Sequence, residues 1–409
     1  MNSLKSYLAN PIYVLGAISV LFLLVEWRAL AHAPEEAGID YSIYYRAATA
    51  YAEDHSALYK GIGPGFDQYL YPPPSIVIFL AMNLLPMGIS YALFCVFMYL
   101  CLVGSLLLWK KLSLEAGFNL SPSEHIAFAL FALATAPVYH NITLGQANCL
   151  VLLLSLAFLV LMRTRPLIAG ALLALAIWIK VYPVFLLLLA VLSKEGRKSI
   201  IGCAAAGILV PVVLLPIVSI DRYFDFLAKL NEVSKYASAH IINESISAFG
   251  LRLTVPTERW YTFPNMYIIP AWLKLLNLAA LCIVALVSAY LAWKKNKPEE
   301  TPFVLGAILL SLSAVCSPLG WGHTYVYALP LIGVTWKIWQ PRLQGNMIGY
   351  AIVFVLGIVL LIPVYSRFGF LQALPSIVKN VYYSRLLYIT LGCVILSWIG
   401  LRQRPIAQA

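Results

Sequence analysis

Apolar runs long enough to cross a membrane follow one another along almost the whole chain. Residues 11–31, 89–109 and 272–293 are three of them, and only short polar segments separate most of the others. Of the 409 residues, 62% are apolar and 11% are charged, whereas soluble proteins carry about 25% charged residues. A soluble fold of this length cannot bury so much apolar surface, so lipid must be the solvent. We therefore expect an all-α, polytopic integral membrane protein made of a single domain, residues 1–409.

The apolar runs predict about 12 transmembrane helices. Two of the runs, 166–180 and 182–193, are shorter than the roughly 20 residues that a full crossing needs. Two connections are long enough to fold, a first outer loop at 32–88 and a second outer loop at 220–271. The predicted spans lie near residues 11–31, 89–109, 125–140, 147–162, 166–180, 182–193, 199–219, 272–293, 302–317, 324–339, 347–365 and 384–401.

Segment 73–87 of the first outer loop is apolar but short, and Pro73 and Pro86 lie near its two ends. If it crossed the membrane, the basic pair at 110–111 would fall on the opposite side from the other basic clusters. We therefore expect this segment to be re-entrant or interfacial. Earlier in the loop, the aromatic residues from Tyr41 onward and Arg46 predict a short interfacial helix, with aromatic rings at the headgroup level.

Most of the positive charge lies in short clusters between apolar runs. The formal net charge is +11, and such clusters mark the cytoplasmic loops of a membrane protein, so the charge does not indicate a nucleic-acid partner. This pattern predicts a protein of the cytoplasmic (inner) membrane with both termini in the cytoplasm and the two long loops outside. The clusters are Lys110-Lys111, Arg163 with Arg165, Lys194 to Lys198, Lys294 to Lys297, and Arg402 with Arg404.

No metal or cofactor is expected. The seven cysteines lie in or beside apolar runs, and none shows a CxxC or Cys/His spacing typical of metal sites. The first outer loop also lacks two aspartates separated by one residue (a DxD pair). The sequence therefore does not support a reaction that depends on a metal bound by such a pair.

Lys180 is the charged residue whose position is hardest to explain structurally. It is the one charge in an apolar stretch of more than twenty residues, next to Tyr182 and Pro183, and the predicted topology places it opposite the basic loops. A lysine at the centre of a bilayer costs on the order of 3 kcal/mol, less if it extends to the interface. A permanent anionic partner such as a phosphate would explain its position; extension of a helix-end lysine to the interface is the alternative.

Further polar residues are predicted to share the outer face with Lys180. Asp40 begins the interfacial helix of the first loop, where an N-cap role is the alternative. Gln146 and Asn148 lie in a turn between two spans, where capping of the next helix is the alternative. His323 lies in a turn broken by proline and glycine, and a hydrogen-bonded structural histidine is the alternative.

One carboxylate, one lysine and one histidine on a single face suit the transfer of a sugar from a lipid phosphate. Phosphate is already a good leaving group, so this reaction needs no general acid, unlike glycoside hydrolysis, where two carboxylates share the work. One carboxylate is enough to take the proton from the acceptor hydroxyl. Cationic or hydrogen-bonding groups stabilise the charge that grows on the phosphate.

The order of these motifs resembles glycosyltransferase family 87, over most of residues 30–330. The resemblance implies a GT-C fold and a polyprenyl-phosphate-mannose-dependent α-mannosyltransferase type of activity. The motifs that carry it are Asp40 with Tyr44-Tyr45, Tyr71-Pro72-Pro73, Gly145-Gln146, the run ending at Lys180 with Tyr182-Pro183, Asn243-Glu244-Ser245, and Ser317-Pro318 with Trp321 and His323.

The resemblance implies an inverting transfer of a hexose, mannose by expectation, from a polyprenyl phosphate to a lipid- or glycan-linked hydroxyl at the outer face. Asp40 matches the general base, and Lys180 and His323 match positions that would bind the donor phosphate. The chain departs from the family pattern where Gly322 stands in place of an acidic residue and Thr324 follows His323, which leaves the sugar open. The expected pocket residues are Tyr44, Tyr45, Arg46, Tyr71, Gln146, Asn148, Tyr182, Asn243 and Trp321.

Two other functions remain open on the sequence. A lipid or polyisoprenoid transporter (flippase) would usually show internal repeats and helices broken at mid-membrane, whereas here the polar residues gather toward one face. A surface-glycan polymerase or ligase would be expected to use arginines in large outer loops. The arginines at 222, 252, 259 and 367 form no evident pattern.

Overall fold

The structure, a computed structural model, describes most of the chain. The expectations for Lys194, Lys297, Arg367, Arg404 and the two chain termini concern residues outside the described part. The described residues are 10–32, 38–60, 68–118, 120–193, 196–263, 265–295, 300–343, 346–362, 371 and 373–403.

Helices form about four fifths of the described chain, as the apolar patterning predicts. They are α1 (Pro11–His32), α2 (Ile39–Glu53), α3 (Ile76–Met82), α4 (Met87–Glu115), α5 (Pro122–Leu133), α6 (Ala136–Leu144), α7 (Asn148–Leu161), α8 (Pro166–Ile179), α9 (Leu186–Leu192), α10 (Arg197–Leu214), α11 (Ile220–Val233), α12 (Ile246–Arg252), α13 (Ala271–Lys295), α14 (Glu300–Val315), α15 (Leu329–Leu343), α16 (Met347–Leu361), α17 (Ser376–Tyr382) and α18 (Arg385–Gln403). Short 3₁₀ helices cover His55–Ala57, Pro73–Ser75, Tyr182–Phe185, Thr257–Tyr261 and Gly322–Ala328.

The second outer loop adds a small β-sheet to the helical architecture. Strands β1 (Tyr236–Ser238) and β2 (Met266–Ile268) pair antiparallel, with Ala237 opposite Tyr267. Strands of three residues are too short to give a clear alternating pattern in the sequence, which explains why the sequence did not predict them.

Four helices of the described residues are long and apolar enough to cross a membrane, namely α4, Arg197–Leu214, Ala271–Leu291 and Arg385–Arg402. Helices α5 and α6 form a fifth candidate, bent by 52°, because Thr135 is extended and Pro137 lacks the N–H that would continue the helix. The remaining apolar helices are shorter. A helical membrane protein is therefore confirmed, whereas about 12 crossings and their orientation stay a prediction.

Segment 73–87 contains too little helix for a crossing. Its helical part ends at Met82, and α4 begins at Met87 after Pro86. Pro73–Met82 is one of the shorter apolar helices and extends about 15 Å, half of the hydrocarbon core. This length favours the re-entrant or interfacial interpretation.

Helix α2 is anchored on the end of α6 by two glycines. Gly38 has φ 74°, and its N–H donates to the Thr143 carbonyl at 2.7 Å. Gly145 ends α6 with φ 75°, and a Cβ there would lie 2.5 Å from the Cβ of Tyr41. Only glycine allows this close approach. Asp40 therefore lies in the first helical turn, and its predicted alternative as N-cap is wrong because Gly38 holds that position.

Arg252 attaches the second outer loop to the last helices of the chain. It is 2% exposed, and all five of its N–H groups donate to neutral acceptors, which is the full capacity of a guanidinium group. One side chain therefore connects the second outer loop to the C-terminal part of the described chain. The acceptors are Asn380 Oδ1 at 2.8 Å, the carbonyls of His240, Asn243 and Tyr383 at 3.0, 2.8 and 3.3 Å, and Ser384 Oγ at 2.7 Å.

We expect Arg252→Ala to destabilise the protein by at least about 3 kcal/mol, because it leaves buried acceptors without donors. The thermal unfolding midpoint in detergent measures the effect. Arg259→Ala, which removes an exposed arginine of the same loop, is the control and should leave the midpoint unchanged. Equal midpoints for the two variants would contradict the attachment role of Arg252.

Candidate active site

Asp40 and Gln146 meet where the N-terminus of α2 reaches the end of α6. The Oδ2 atom of Asp40 accepts a hydrogen bond from Nε2 of Gln146 at 2.5 Å. The backbone of Gln146 is fixed because its N–H donates to the Asn141 carbonyl at 2.8 Å, across the left-handed Gly145. The positive end of the α2 dipole favours the ionised form of a carboxylate in its first turn.

Lys180 follows the last residue of α8, and its ammonium group reaches the same glutamine. Its Nζ atom donates to Oε1 of Gln146 at 2.9 Å and to Oδ1 of Asn148 at 2.7 Å. It also lies 5.0 and 5.3 Å from the ring centroids of Tyr71 and Tyr182, within cation–π range. No ion pair of Lys180 is found in the described part of the chain. Two of its three N–H groups therefore donate to protein acceptors within the described residues.

One side-chain amide therefore separates a carboxylate from an ammonium group. The orientation of the Gln146 amide is dictated by its partners, because a carboxylate only accepts and an ammonium only donates. Tyr71 OH donates to the same Oε1 at 2.7 Å, and Tyr44 OH lies 2.5 Å from Tyr71 OH. Burial raises the pKa of both tyrosines well above the usual value, so they act as neutral hydroxyl groups.

Asn148 extends the network to the 3₁₀ segment that contains His323. Its Oδ1 also accepts from Tyr327 OH at 2.9 Å, and its Nδ2 donates to the His323 carbonyl at 3.4 Å. Asn141 donates to that carbonyl at 2.6 Å. Burial, together with the charge of Lys180, lowers the pKa of His323 well below its ordinary value. The imidazole is therefore neutral at pH 7.

The structure thus joins most of the predicted site residues in one buried network. Helix α7 begins without a side-chain cap, so capping does not explain Gln146 or Asn148. The connected residues are Asp40, Tyr44, Tyr71, Gln146, Asn148, Lys180, Tyr182 and His323.

Four predicted pocket residues point elsewhere. Tyr45 donates to the Leu85 carbonyl at 2.9 Å, and the exposed Arg46 donates to the Ser42 carbonyl at 3.2 Å. Asn243 donates to the carbonyls of Ser238 and Pro318. Trp321 pairs with Asn243 through the backbone and packs near Phe263. The last two fasten the second outer loop to the turn before His323.

Sequence reasoning missed two members of the network, Asn141 and Tyr327. Tyr327 lies in a predicted span and Asn141 directly follows one, and a polar side chain in such a position needs a partner. Tyr327 follows His323 by four residues, so both lie in one broken helical segment. The sequence therefore contained a signal for both residues, a polar side chain in or beside an apolar run.

A second group of buried polar atoms lies beside His323. Glu244 is fully buried; its Oε2 accepts from the Leu386 N–H at 2.8 Å, while its Oε1 has no hydrogen-bond partner. Arg385 is 7% exposed, and its Nε and Nη1 also lack partners. A buried polar atom left unpaired costs about 1–3 kcal/mol.

Of these atoms, Oε1 of Glu244 lies near Gly322. A Cβ built on Gly322 would lie 3.5 Å from Nδ1 of His140 and 3.9 Å from Oε1 of Glu244. Both distances are ordinary van der Waals contacts, so the space has room for an atom without a clash. Arg385 interacts electrostatically with both His140 and Glu244.

The buried carboxyl group of Glu244 should make the free energy of unfolding depend on pH. Burial raises its pKa from 4.5 to about 7, against the opposing influence of Arg385 and the Leu386 N–H. Between these two values the folded protein holds one proton more than the unfolded chain, so stability falls as the pH rises through this window. The total loss is on the order of 3 kcal/mol, since each pKa unit corresponds to about 1.4 kcal/mol.

Glu244→Gln should remove this loss, because glutamine does not ionise. We expect the variant to gain unfolding temperature relative to the wild type at pH 8 and to gain less at pH 5. Glu258→Gln, at an exposed carboxylate in the same loop, serves as control. A difference between Glu244→Gln and the wild type that is independent of pH would contradict the buried acid.

Comparison with known proteins gives two matches. The profile of glycosyltransferase family 87 matches residues 69–318, a range that contains Tyr71, Gln146, Asn148 and Lys180 and ends shortly before His323. The chain is also 25% identical over 339 residues to a polyprenol-phosphate-mannose-dependent alpha-(1-2)-phosphatidylinositol mannoside mannosyltransferase of Mycobacterium tuberculosis. That alignment covers 78% of this chain and 74% of the relative.

Proposed function

The chain belongs to glycosyltransferase family 87, and we propose that it transfers a hexose, with mannose as the expected sugar, from a polyprenyl-phosphate donor to a hydroxyl group of a lipid- or glycan-linked acceptor. Family membership makes it a glycosyltransferase, which favours transfer over transport. The mannosyltransferase relative uses a polyprenol-phosphate-mannose donor, and this supports the donor class. The name of the same relative specifies a phosphatidylinositol mannoside, and this supports a lipid-linked acceptor.

The proposed reaction takes place at the outer face of the cytoplasmic membrane, within a single membrane domain formed by residues 1–409. The distribution of basic clusters supports this orientation, because it assigns both outer loops to the side opposite the cytoplasm. Asp40 lies in the first of these loops, and Glu244 lies in the second.

One observation carries the proposal: Asp40 and Lys180 contact opposite ends of the Gln146 amide. An inverting transfer needs a base on one side of the anomeric carbon and a phosphate-binding group on the other. A neutral spacer that holds both charged groups at one site meets this requirement.

In the proposed mechanism, the oxygen of the acceptor hydroxyl bonds to the anomeric carbon of the donor. Asp40 takes the proton of this hydroxyl as the bond forms. The bond between that carbon and the phosphate oxygen breaks, and its electron pair stays on the polyprenyl phosphate. The remaining N–H of Lys180 stabilises the new charge. His323 is neutral, so it contributes a hydrogen bond and no charge.

Incubation of the purified protein with several labelled polyprenyl-phosphate hexoses and a lipid extract tests the activity directly. We expect label to move from polyprenyl-phosphate-mannose to a lipid acceptor. Movement from another hexose carrier alone would correct the sugar. If no label moves from any of these carriers, the proposed donor class is wrong.

Asp40→Asn should lower the transfer rate by about 10²–10⁴-fold, because an amide cannot accept the hydroxyl proton. The unfolding midpoint should change little, since asparagine retains an oxygen that accepts from Gln146. Glu53→Gln, an exposed carboxylate at the end of the same helix, is the matched control and should keep full activity. An Asp40→Asn enzyme with wild-type turnover would exclude Asp40 as the base.

Lys180→Met should weaken the use of the donor by about ten- to a hundredfold, because a charge-assisted hydrogen bond to the phosphate is lost. The acceptor KM should stay near the wild-type value. Lys274→Met, at an exposed lysine of α13, is the control. Unchanged donor KM and turnover in Lys180→Met would show that the phosphate binds elsewhere.

A further inference from the structure

Helix α11 of the second outer loop carries an exposed apolar stripe. Its residues Ile220, Phe224 and Leu227 are 54%, 65% and 59% exposed. Their spacing of four and then three residues places them on one face of the helix. The proposed mechanism gives this stripe no role.

An acidic stripe runs along the same helix. Asp221, Asp225 and Glu232 share a face about a third of a turn away from the apolar stripe. Asp225 pairs with Arg222 at 2.8 Å, and Glu232 pairs with Lys229 at 2.9 Å. Five charged residues among 14 exclude the helix from the hydrocarbon core, and the apolar stripe makes it poorly suited to bulk water. A helix with two such faces suits a membrane interface.

Both ends of α11 connect to helices that are candidate membrane spans. Residues 215–219 join it to α10, and the N–H of Val218 donates back to the Leu214 carbonyl at 2.7 Å. At the other end, the Lys235 carbonyl accepts from the N–H of Ile269 at 2.9 Å, two residues before α13 begins. Of the most apolar 18-residue windows of α10 and α13, 11% and 17% are buried, which leaves most of each span to lipid. The ends of two lipid-facing spans therefore hold α11 at the level of the membrane surface.

The apolar stripe is also continuous with the surface that α10 exposes. Val213, Leu215 and Ile217 are 63%, 42% and 42% exposed, and they lead directly to Ile220. Since lipid covers the exposed face of a membrane span, the same lipid is the natural cover for the stripe that continues it. This continuity favours lipid over a second copy of the chain.

We propose that α11 lies in the membrane interface on the side of the outer loops. Its apolar stripe enters the boundary between headgroups and acyl chains, about 5–10 Å deep, and its acidic stripe faces water. The helix has three acidic and two basic residues, so burial of apolar surface holds it there, and attraction to anionic headgroups is not required.

The other side of α11 is packed on the first outer loop. Phe226 is 7% exposed, and Nη1 of Arg222 donates to the Ser56 carbonyl at 2.9 Å. Just before α11, the Ile217 carbonyl accepts from Tyr51 OH at 2.7 Å. Tyr51 belongs to α2, the helix that carries the proposed base. The contact of α11 with lipid thus sets the depth of α2 relative to the membrane.

The experiment attaches a bimane fluorophore to Leu227→Cys or to Glu232→Cys in the full-length protein. The two positions are matched, because Leu227 is 59% exposed and the Glu232 side chain is 62% exposed, so the protein alone shields them equally. Each variant is reconstituted in phosphatidylcholine vesicles, with or without bromine atoms near the top of the acyl chains. The wild-type protein, treated with the same label, gives the signal of the seven native cysteines, which is subtracted.

We expect brominated chains to remove at least about half of the fluorescence of the label at 227 and little of that at 232, because only the first label reaches the acyl chains. Iodide added to the water should quench the two labels in the opposite order. Equal thermal unfolding midpoints of the two variants and the wild type would show that the substitutions preserve the fold.

Three results would overturn the inference. If iodide quenches both labels equally, α11 lies in water. If brominated chains quench both labels equally, the acidic stripe does not face water. If neither quencher reaches the label at 227, protein covers the stripe and lipid is the wrong partner. None of these measurements uses a sugar donor, so they stand or fall independently of the proposed transfer reaction.

Discussion

The side-chain amide of Gln146 is the contact around which the buried network is organised. It donates to a carboxylate with its nitrogen and accepts from an ammonium group with its oxygen. A direct contact between Asp40 and Lys180 at about 4 Å would contribute on the order of 4 kcal/mol of attraction near a protein surface. It would also favour the ionised carboxylate and so weaken it as a base. The neutral spacer holds both groups at one site, where they interact electrostatically across the amide.

This spacer depends on the backbone around it. Gly145 terminates α6 in the left-handed conformation, and the same residue provides the close contact with Tyr41 in α2. The Gly38 N–H completes the attachment at the Thr143 carbonyl. Two segments that are about a hundred residues apart in the sequence therefore meet through glycines. Asp40 follows the first glycine by two residues, Gln146 directly follows the second, and the two side chains contact each other.

Much of this site could be predicted because lipid makes polar residues conspicuous. Lys180 stands alone in an apolar run, and Asp40, Gln146 and His323 lie at helix ends, so local sequence located all four. Periodicity could not show which way side chains point. Asn243 and Trp321 were for this reason assigned to the pocket, although they fasten a loop. The burial of Arg385 could not be predicted, because an arginine at the start of a helix resembles an ordinary interfacial residue.

The number of crossings could not be derived from apolar length alone. Helices such as α7 and α8 have 14 residues each, and a helix of that length is equally compatible with a bent crossing, a re-entrant pair or a buried core element. The bend between α5 and α6 shows how one predicted run becomes two helices. Polar side chains at such breaks have protein neighbours, which is what allows irregular backbone within an apolar protein.

The Arg252 contacts also bear on how the protein is made. Its partners Asn380 and Ser384 lie 128 and 132 residues later in the chain, so a ribosome adding about 5–20 residues per second needs on the order of ten seconds to supply them. During that interval the nascent second loop carries a guanidinium group that lacks its final acceptors. Asp40, Gln146 and Lys180 have already been synthesised by then. The synthesis of α17 and of the two residues that follow it therefore supplies the acceptors that complete the attachment of the second outer loop.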